Sequence, residues 1–290
     1  MITGFSFANT CLKRHNYQYK MARVICIANS KGGVGKTTTA VNLGAYLARL
    51  GRRVLLIDFD PQANASSALG HRFNDESKNI YHAVTGSAEV DGELVRQSDF
   101  WNYHFIPSHP NLAGLLVELV AHPDREYLLR RFINKIRHHY DYIVIDSPPS
   151  LSLLTINGLV ASDEVLVPVQ AEYYSLEGLT QLLDTIEMIR GNLKHDLKIA
   201  GAVITMHDKR ERLSREISGN LRKHFPAHVF DVEIPRAVSL AEAPSFGKTI
   251  LGHEPGSAGA LAYERLAREV IAFEDRYKAP EDFGDFNNLV

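Results

Sequence analysis

The sequence predicts an α/β protein with a doubly wound, mostly parallel sheet flanked by helices. Short runs rich in Val, Ile and Leu are apolar at nearly every position, which is typical of parallel strands covered on both faces. They occupy residues 23–28, 53–57, 142–145, 164–169 and 199–205. Helical patterns lie between and after them, near residues 38–50, 125–139, 175–190, 211–224 and 259–273. This alternation of strands and helices predicts a single sheet with helices on both faces.

The length suits one large α/β domain or two small ones. Since the sequence shows no repeats and no low-complexity linker, we predict a single domain at residues 21–275. The chain has 290 residues, of which 45% are hydrophobic, enough for a full core. Its net charge of −2 gives no indication of nucleic-acid binding, so any basic face must be local. The two cysteines, Cys11 and Cys26, make no disulfide framework, which favours a cytoplasmic protein. No apolar run approaches the length of a membrane span.

The two ends of the chain differ from this core. Residues 1–20 contain three Lys or Arg residues and no acid, and Met21 directly precedes the first predicted strand. We expect a disordered basic extension or a start assigned too early, with an arm that binds DNA or another partner as the alternative. Residues 276–290 are expected to form an acidic tail that frays.

The most informative segment connects the first predicted strand to the first predicted helix. It consists of Lys31, Gly32, Gly33, Val34, Gly35, Lys36, Thr37 and Thr38. Glycines in this context let backbone N–H groups turn toward phosphate oxygens, and a helix N-terminus favours their negative charge. Lys36 is predicted to reach the β- and γ-phosphates and Thr37 to ligate Mg²⁺. A nucleoside triphosphate is the predicted ligand of these eight residues.

Two positions depart from the usual phosphate loop. Ser30 stands where the standard pattern has glycine, and Lys31 adds a second lysine at the start of the loop. Lys31 cannot easily fold onto phosphates from which its own backbone departs. It could instead reach the phosphates of a facing subunit.

This loop resembles the deviant Walker A loop of the ParA/MinD class of P-loop ATPases. Further segments resemble the ParA (Soj) branch, the chromosome- and plasmid-partition ATPases, and the resemblance extends over roughly residues 21–272. These segments are residues 55–64, 142–150, 167–178 and 234–248. The resemblance implies a P-loop NTPase fold, ATPase activity that is slow without an activator, and ATP and Mg²⁺ as cofactors.

Carboxylates at the ends of predicted strands are the expected catalytic and metal-binding groups. Asp58 and Asp60 directly follow a buried strand, and their spacing would point both to one side. Asp146 ends another apolar run, where a carboxylate can hold Mg²⁺ directly or through water. The resemblance implies that Asp60 lies near the attacking water, that Asp58 helps to order the Mg²⁺ shell, and that Lys31 contacts a partner's nucleotide. The candidate catalytic residues are thus Lys31, Lys36 and Asp60, and the candidate metal site is Thr37, Asp58 and Asp146.

The resemblance also places the adenine near the ends of two late strands, at Met206 and the region of Pro235 and Arg236. An apolar edge suits a flat base. Ordinary packing is the alternative interpretation of both Met206 and Pro235.

Residues 206–225 are locally basic, with six Lys or Arg residues against three acids. The bases are Lys209, Arg210, Arg212, Arg215, Arg222 and Lys223. Such a stripe suits contacts to DNA phosphates without base readout, although a solvated face is the alternative. The resemblance implies that Arg210 contacts DNA, and we predict contacts from Lys209, Arg210, Arg212 and Arg236. Ser239 stands where the family often has a further arginine, which indicates weaker DNA binding.

The resemblance implies an ATPase whose hydrolysis rate sets how long it stays bound to DNA. ATP drives formation of a homodimer, the dimer binds non-specific DNA on the nucleoid, and hydrolysis stimulated by a ParB-type partner releases it. One alternative is the same ATPase positioning a protein cargo. A MinD-type membrane switch needs a basic amphipathic helix near the C-terminus, which the acidic tail disfavours. A reductase like the nitrogenase iron protein is excluded because both cysteines precede the phosphate loop.

Overall fold

The computed structural model describes residues 21–72, 77–172 and 175–274, without the side chains of residues 175–177. The predicted basic extension 1–20 and the acidic tail 276–290 lie outside the described residues. The described strands are β1 (Arg23–Ile27), β2 (Val54–Asp58), β3 (Arg96–Gln97), β4 (Tyr103–Ile106), β5 (Tyr142–Asp146), β6 (Glu164–Gln170), β7 (Lys198–His207) and β8 (Val229–Pro235). They form one sheet in the order β3-β4-β2-β5-β1-β6-β7-β8.

Helices connect most of these strands. They are α1 (Lys36–Arg49), α2 (Asn64–Ala68), α3 (Ile80–Thr85), α4 (Leu115–Glu118), α5 (Leu128–Ile136), α6 (Leu153–Val160), α7 (Ser175–Asn192), α8 (Arg212–His224), α9 (Val238–Glu242), α10 (Ile250–His253) and α11 (Ala258–Ala272). Short 3₁₀ segments lie at Pro110–Gly114, Arg137–His139 and Ala243–Phe246. Within the described ranges, no helix combines the length and apolar character needed to cross a bilayer.

The predicted doubly wound sheet is confirmed. Every described strand pairing is parallel except that between β3 and β4. All five strands predicted from the hydrophobic pattern are present. That pattern did not reveal β3, β4 or β8, although the resemblance implied a late strand that ends near Pro235. Strands β3 and β4 are too short to give a pattern, and the edge strand β8 carries the polar residues Asp231 and Glu233 among its apolar ones.

The sheet separates two hydrophobic cores. Val24 and Cys26 of β1 face a core covered by α3, α5, α6 and α7, whereas Ile25 and Ile27 face one covered by α1, α2, α10 and α11. Because both faces are buried, neither set of alternating positions is exposed to water, which explains why the central strands are apolar throughout.

The register of the central strands gathers the predicted site at one edge of the sheet. Ile27 at the end of β1 is aligned with Asp146 at the end of β5, and Asp146 is aligned with Asp58 at the end of β2. The chain leaves β1 directly into the phosphate loop. Both carboxylates therefore lie beside the point from which that loop departs.

A buried ion pair joins the N-terminal ends of the parallel strands β1 and β6. Arg23 Nη2 donates a hydrogen bond to Glu164 Oε2 at 2.9 Å, and Arg23 Nη1 donates to the backbone oxygen of Val270 in α11 at 2.7 Å. The Glu164 side chain is fully buried. The pair therefore ties the helix layer to the sheet at the edge away from the phosphate loop.

Glu164→Gln is expected to reduce the free energy of unfolding by about 3 kcal/mol, because it removes the negative charge of Glu164 from beside the buried Arg23 guanidinium. The measurement is urea unfolding at neutral pH. Glu187→Gln is the matched control, since Glu187 pairs with Arg190 at the surface and is 68% exposed. The control should lose less than about 1 kcal/mol. Equal losses in the two variants would show that burial of the Arg23–Glu164 pair is not what stabilises the fold.

Candidate functional site

The phosphate loop already has a defined shape in the described chain. Gly33 and Gly35 have φ values of 73° and 86°, in the left-handed region that favours glycine. Thr205 in β7 donates a hydrogen bond from Oγ1 to the backbone oxygen of Val34 at 2.8 Å. This hydrogen bond ties the loop to β7 beside the N-terminus of α1, where N–H groups can bind phosphate.

The residues before the loop attach it to the neighbouring strand and helix. Asn29 Nδ2 donates to the backbone oxygen of Pro168 at 2.8 Å, while Asn29 Oδ1 accepts the N–H of Lys31 at 3.0 Å. Ser30 Oγ donates to the backbone oxygen of Gly178 in α7 at 2.7 Å. A Cβ at position 178 would lie 2.8 Å from that hydroxyl, so Gly178 lets α7 approach. At the position of the usual glycine, the Ser30 hydroxyl thus binds the loop to α7.

Lys36 spans the loop from inside. Its side chain is buried, and Nζ donates a hydrogen bond to the backbone oxygen of Lys31 at 2.8 Å. Burial lowers the pKa of Lys36, and the nearby carboxylates of Asp146 and Asp60 oppose that change. A phosphate group would add negative charge at this point and favour the ammonium form. The contact of Lys36 with the phosphates stays a prediction.

Asp146 is a buried carboxylate whose oxygens are both unsatisfied. Neither oxygen is accessible to solvent, and neither accepts a hydrogen bond from the described residues. Burial raises the pKa of Asp146 well above its ordinary value, and the neighbouring Asp58 raises it further. The Thr37 hydroxyl approaches closely enough to oppose this rise, although without the geometry of a hydrogen bond. An unpaired carboxylate beside a threonine hydroxyl fits a hard divalent cation such as Mg²⁺.

Unlike Asp146, Asp58 accepts hydrogen bonds from neighbouring residues. Its Oδ2 accepts hydrogen bonds from the hydroxyl and the N–H of Ser66, at 2.6 and 2.7 Å. Burial raises its pKa to about 6, and these hydrogen bonds limit the rise. In the ranges that the structure describes, no three His, Cys, Asp or Glu side chains cluster as a metal site. Because Asp58 accepts three hydrogen bonds and Asp146 accepts none from the described residues, Asp146 has the greater unused capacity to bind a cation.

Asp60 lies on the loop that follows β2 and is nearly buried. Its N–H donates to Asp58 Oδ1 at 3.3 Å, and its own Oδ1 accepts the N–H of Gln62 at 3.0 Å. The structure brings Asp60 close enough to influence the charge of Lys36. Three residues far apart in sequence, Lys36, Asp60 and Asp146, thus converge at this edge of the sheet.

Lys31 has a different environment from Lys36. Its side chain is 30% exposed, and its Nζ lies 3.6 Å from Oε2 of Glu172, which follows β6 and is 48% exposed. Glu172 also accepts a hydrogen bond from Gln170 Nε2 at 2.6 Å. In the single chain, Lys31 is thus paired with a carboxylate at the surface. The sequence did not indicate Glu172 as the partner of Lys31, because the two residues lie on loops that are distant along the chain.

Met206 and Pro235 end neighbouring strands at the rim of the same edge. His207 is aligned with Pro235, and the N–H of Arg236 donates to the backbone oxygen of His207 at 3.3 Å. Met206 adopts a left-handed φ of 52°. Because Thr205 contacts the phosphate loop, the two predicted adenine neighbours lie close to it. Their contact with a base remains a prediction.

The predicted DNA-binding arginines all carry carboxylate partners. Arg210 is 90% exposed and its Nη2 lies 3.0 Å from Asp208 Oδ2. Arg212 pairs with Glu216 at 2.7 Å, and Arg236 with Glu172 at 3.5 Å. The neighbouring Lys209 accepts a hydrogen bond from Arg215 at its backbone oxygen.

One base of the predicted stripe, Arg222, bonds to the backbone of the neighbouring strand. Arg222 does not project with the others but donates to the backbone oxygens of Phe230 and Asp231 in β8, at 3.1 and 3.2 Å. It stabilises the edge strand, whose carbonyl groups would otherwise lack donors on that side. The stripe is therefore reduced to five bases against three acids.

Comparison with known proteins agrees with this geometry. A family model described as an AAA domain matches residues 22–199. The chain is 51% identical over 250 residues to the chromosome-partitioning ATPase Soj of Thermus thermophilus, covering 86% of this chain and 96% of that protein. It is 48% identical over 252 residues to the sporulation initiation inhibitor protein Soj of Bacillus subtilis, covering 87% and 99%.

A solved structure supports the predicted fold. Cobyrinic acid a,c-diamide synthase from Mycobacterium smegmatis, with bound ADP and magnesium, matches with a TM-score of 0.77 at 33% identity. The match covers 92% of this chain and 100% of that one. The predicted fold and the resemblance drawn from the sequence motifs are both confirmed. The chain belongs to the Soj/ParA family of chromosome-partitioning ATPases.

Proposed function

We propose that this protein hydrolyses ATP with Mg²⁺ and uses the ATP-bound state to form a homodimer that binds DNA. The observation that carries the proposal is the convergence of Lys36, Thr37, Asp60 and the unpaired Asp146 at one edge of the sheet. Phosphoryl transfer depends mainly on positioning and charge stabilisation, which such a set supplies.

Each residue of this set has a distinct proposed task. The N–H groups of residues 32–38 and the Lys36 ammonium hold the phosphates. Thr37 and Asp146 would hold Mg²⁺ with help from Asp58, and the cation would neutralise charge on the phosphates. Asp60 orients the attacking water. Turnover without an activator is expected to be slow, on the order of 10⁻⁴–10⁻² s⁻¹.

Lys31 is proposed to act on the nucleotide of a second subunit. A cation supplied in trans stabilises charge on the transferring phosphoryl group, as an arginine finger does. In the single chain its partner is Glu172. An exposed pair of this kind is weak, so phosphates of a facing subunit can replace the carboxylate. Dimer formation would thus exchange one ion pair for a stronger one.

The dimer is proposed to bind duplex DNA through Lys209, Arg210, Arg212 and Arg236. The three arginines would exchange their carboxylate partners for backbone phosphates, and two subunits would double the number of phosphates bound. A ParB-type centromere-binding protein is the proposed activator of hydrolysis, which releases the DNA. The proposed place of action is the nucleoid in the cytoplasm.

Light scattering tests the dimer directly. Asp60→Ala protein, which should retain ATP, is expected to double its mass with ATP and Mg²⁺ and to stay monomeric with ADP. A pull-down with the same ATP-loaded protein would then identify the activating partner. If the mass is the same with ATP and with ADP, the proposed ATP-dependent dimerisation is rejected.

DNA binding by the ATP-bound form is expected to be insensitive to sequence and to fall steeply with salt. Each neutralised phosphate adds about 0.9 to the slope of log K against log salt concentration. Arg210→Ala should weaken binding to all duplexes equally and reduce the slope by about one for each phosphate that is no longer neutralised. Ser239, in the position of a family arginine, predicts a shallower slope than that of a more basic relative.

The assay is a gel shift on two unrelated duplexes at several salt concentrations. Arg268→Ala is the matched control, because Arg268 is an exposed arginine paired with Glu264 on α11, outside the basic stripe. It should leave affinity and slope unchanged. If the protein binds DNA equally with ATP and ADP, or does not bind DNA with ATP at low salt, ATP-dependent DNA binding is rejected. The proposed ATPase activity would be unaffected by that result.

A further inference from the structure

The loop that carries Asp60 is shaped by backbone hydrogen bonds to acceptors near the site. The N–H of Phe59 donates to the backbone oxygen of Asp146 at 2.9 Å, and the N–H of Ala63 donates to that of Asp60 at 2.9 Å. The N–H groups of Asp60 and Ser66 both donate to the carboxylate of Asp58. Asp58 therefore fastens the loop at both ends.

Ser66 connects this loop to the segment that follows β4. It is fully buried in the middle of α2, and its hydroxyl donates to Asp58 Oδ2 at 2.6 Å. The same hydroxyl oxygen accepts the N–H of Ser108 at 2.9 Å, in the segment after β4. One hydroxyl thus links the ends of two neighbouring strands and bonds to two buried polar groups, the Asp58 carboxylate and the N–H of Ser108. Hydrogen bonds to an ionised acceptor are shorter and stronger than neutral ones, which makes this link rigid.

We propose that Ser66 is a positioning residue for hydrolysis, which acts through Asp58 to hold Asp60 at the place where it orients water. This inference rests on the proposed role of Asp60. Without the hydroxyl, Asp58 keeps the N–H of Ser66 but loses its short bond to Oγ, and Ser108 N–H loses its acceptor. The carboxylate of Asp58 can then rotate, and the end of the loop that includes Asp60 is released.

The test variant is Ser66→Ala. Because the phosphate loop does not include Ser66, the affinity for ATP should stay within about two-fold of wild type, while kcat should fall roughly 10- to 100-fold, as expected for a small misplacement of a reacting group. The measurements are phosphate release across a range of ATP concentrations and equilibrium binding of a fluorescent ATP analogue.

Ser108→Ala is the matched control. It removes a buried hydroxyl from the neighbouring segment, but that hydroxyl has no hydrogen-bond partner among the described residues, and the backbone N–H to Ser66 remains. Its kcat should equal that of wild type. A parallel fall in both variants would indicate general loosening of this region and would overturn the positioning role.

Hydrogen–deuterium exchange supplies a readout independent of turnover. Amides of residues 59–66 should exchange faster in Ser66→Ala, whereas amides of residues 32–43 should not change. Unchanged exchange in 59–66 would contradict the inference even if wild-type protein hydrolysed no ATP. The proposed function would be tested separately by the activity of wild type.

A double-mutant cycle with Asp60→Ala identifies the route of the effect. If Ser66 acts through Asp60, adding Ser66→Ala to Asp60→Ala should cause no further loss of turnover. Multiplicative losses would show that Ser66 acts elsewhere. That result would reject this inference and leave the role of Asp60 intact.

Discussion

Asp60→Ala is expected to bind ATP as tightly as wild type and to lose about 100-fold or more of its turnover, which is the range measured for positioned acid–base groups. The phosphate loop and Lys36 remain intact in this variant, so binding has no reason to change. Asp60 is buried on the loop that follows β2, and it is the carboxylate proposed to orient the attacking water. Phosphate release under single-turnover conditions and binding of a fluorescent ATP analogue measure the two quantities.

Two comparisons make the Asp60 experiment specific. Asp91→Ala removes a surface aspartate that pairs with Lys78 and should leave turnover unchanged. Lys36→Ala should instead lose nucleotide affinity, because the phosphate charge is left unpaired. Undiminished phosphate release in Asp60→Ala would show that another group orients the water.

ATP-loaded protein carrying Lys31→Ala is expected to remain monomeric at concentrations where Asp60→Ala protein dimerises. Its turnover should fall by about 10³-fold, the lower end of the range for a cation supplied in trans. The reason is that Lys31 lies at the surface beside Glu172, whereas Lys36 already occupies the inside of its own loop. Light scattering and phosphate release, each at several protein concentrations, provide the measurement.

The controls for Lys31 separate its contact to phosphate from its contact to Glu172. Glu172→Gln removes the countercharge and keeps the lysine, so this variant should dimerise at least as readily as wild type. Lys78→Ala removes a surface lysine paired with Asp91 and Glu93 and should change neither property. Normal dimers and normal turnover in Lys31→Ala would refute the role in trans.

Much of the fold could be read from the sequence because the relevant information is local. Central strands such as β1 and β5 are buried on both faces, so nearly every residue is apolar and the pattern is visible without a partner strand. The phosphate loop can also be predicted from the sequence, since the left-handed backbone at Gly33 and Gly35 favours glycine at those positions. The short strand β4 and the partly polar edge strand β8 lack such a signal.

Composition and spacing by themselves therefore determined the sheet, the phosphate loop and the candidate acids. Only the tertiary structure decided which of those groups meet and which are already satisfied: Asp146 has no hydrogen-bond partner among the described residues, whereas Asp58 is bound by Ser66. It also turned Arg222 toward the carbonyl groups of β8 and placed Glu172 beside Lys31. The physical reason is that hydrogen bonds and ion pairs act over a few ångströms, between residues that are distant in sequence. Such interactions depend on how strands and loops are arranged in space, which the residue types along the chain do not display.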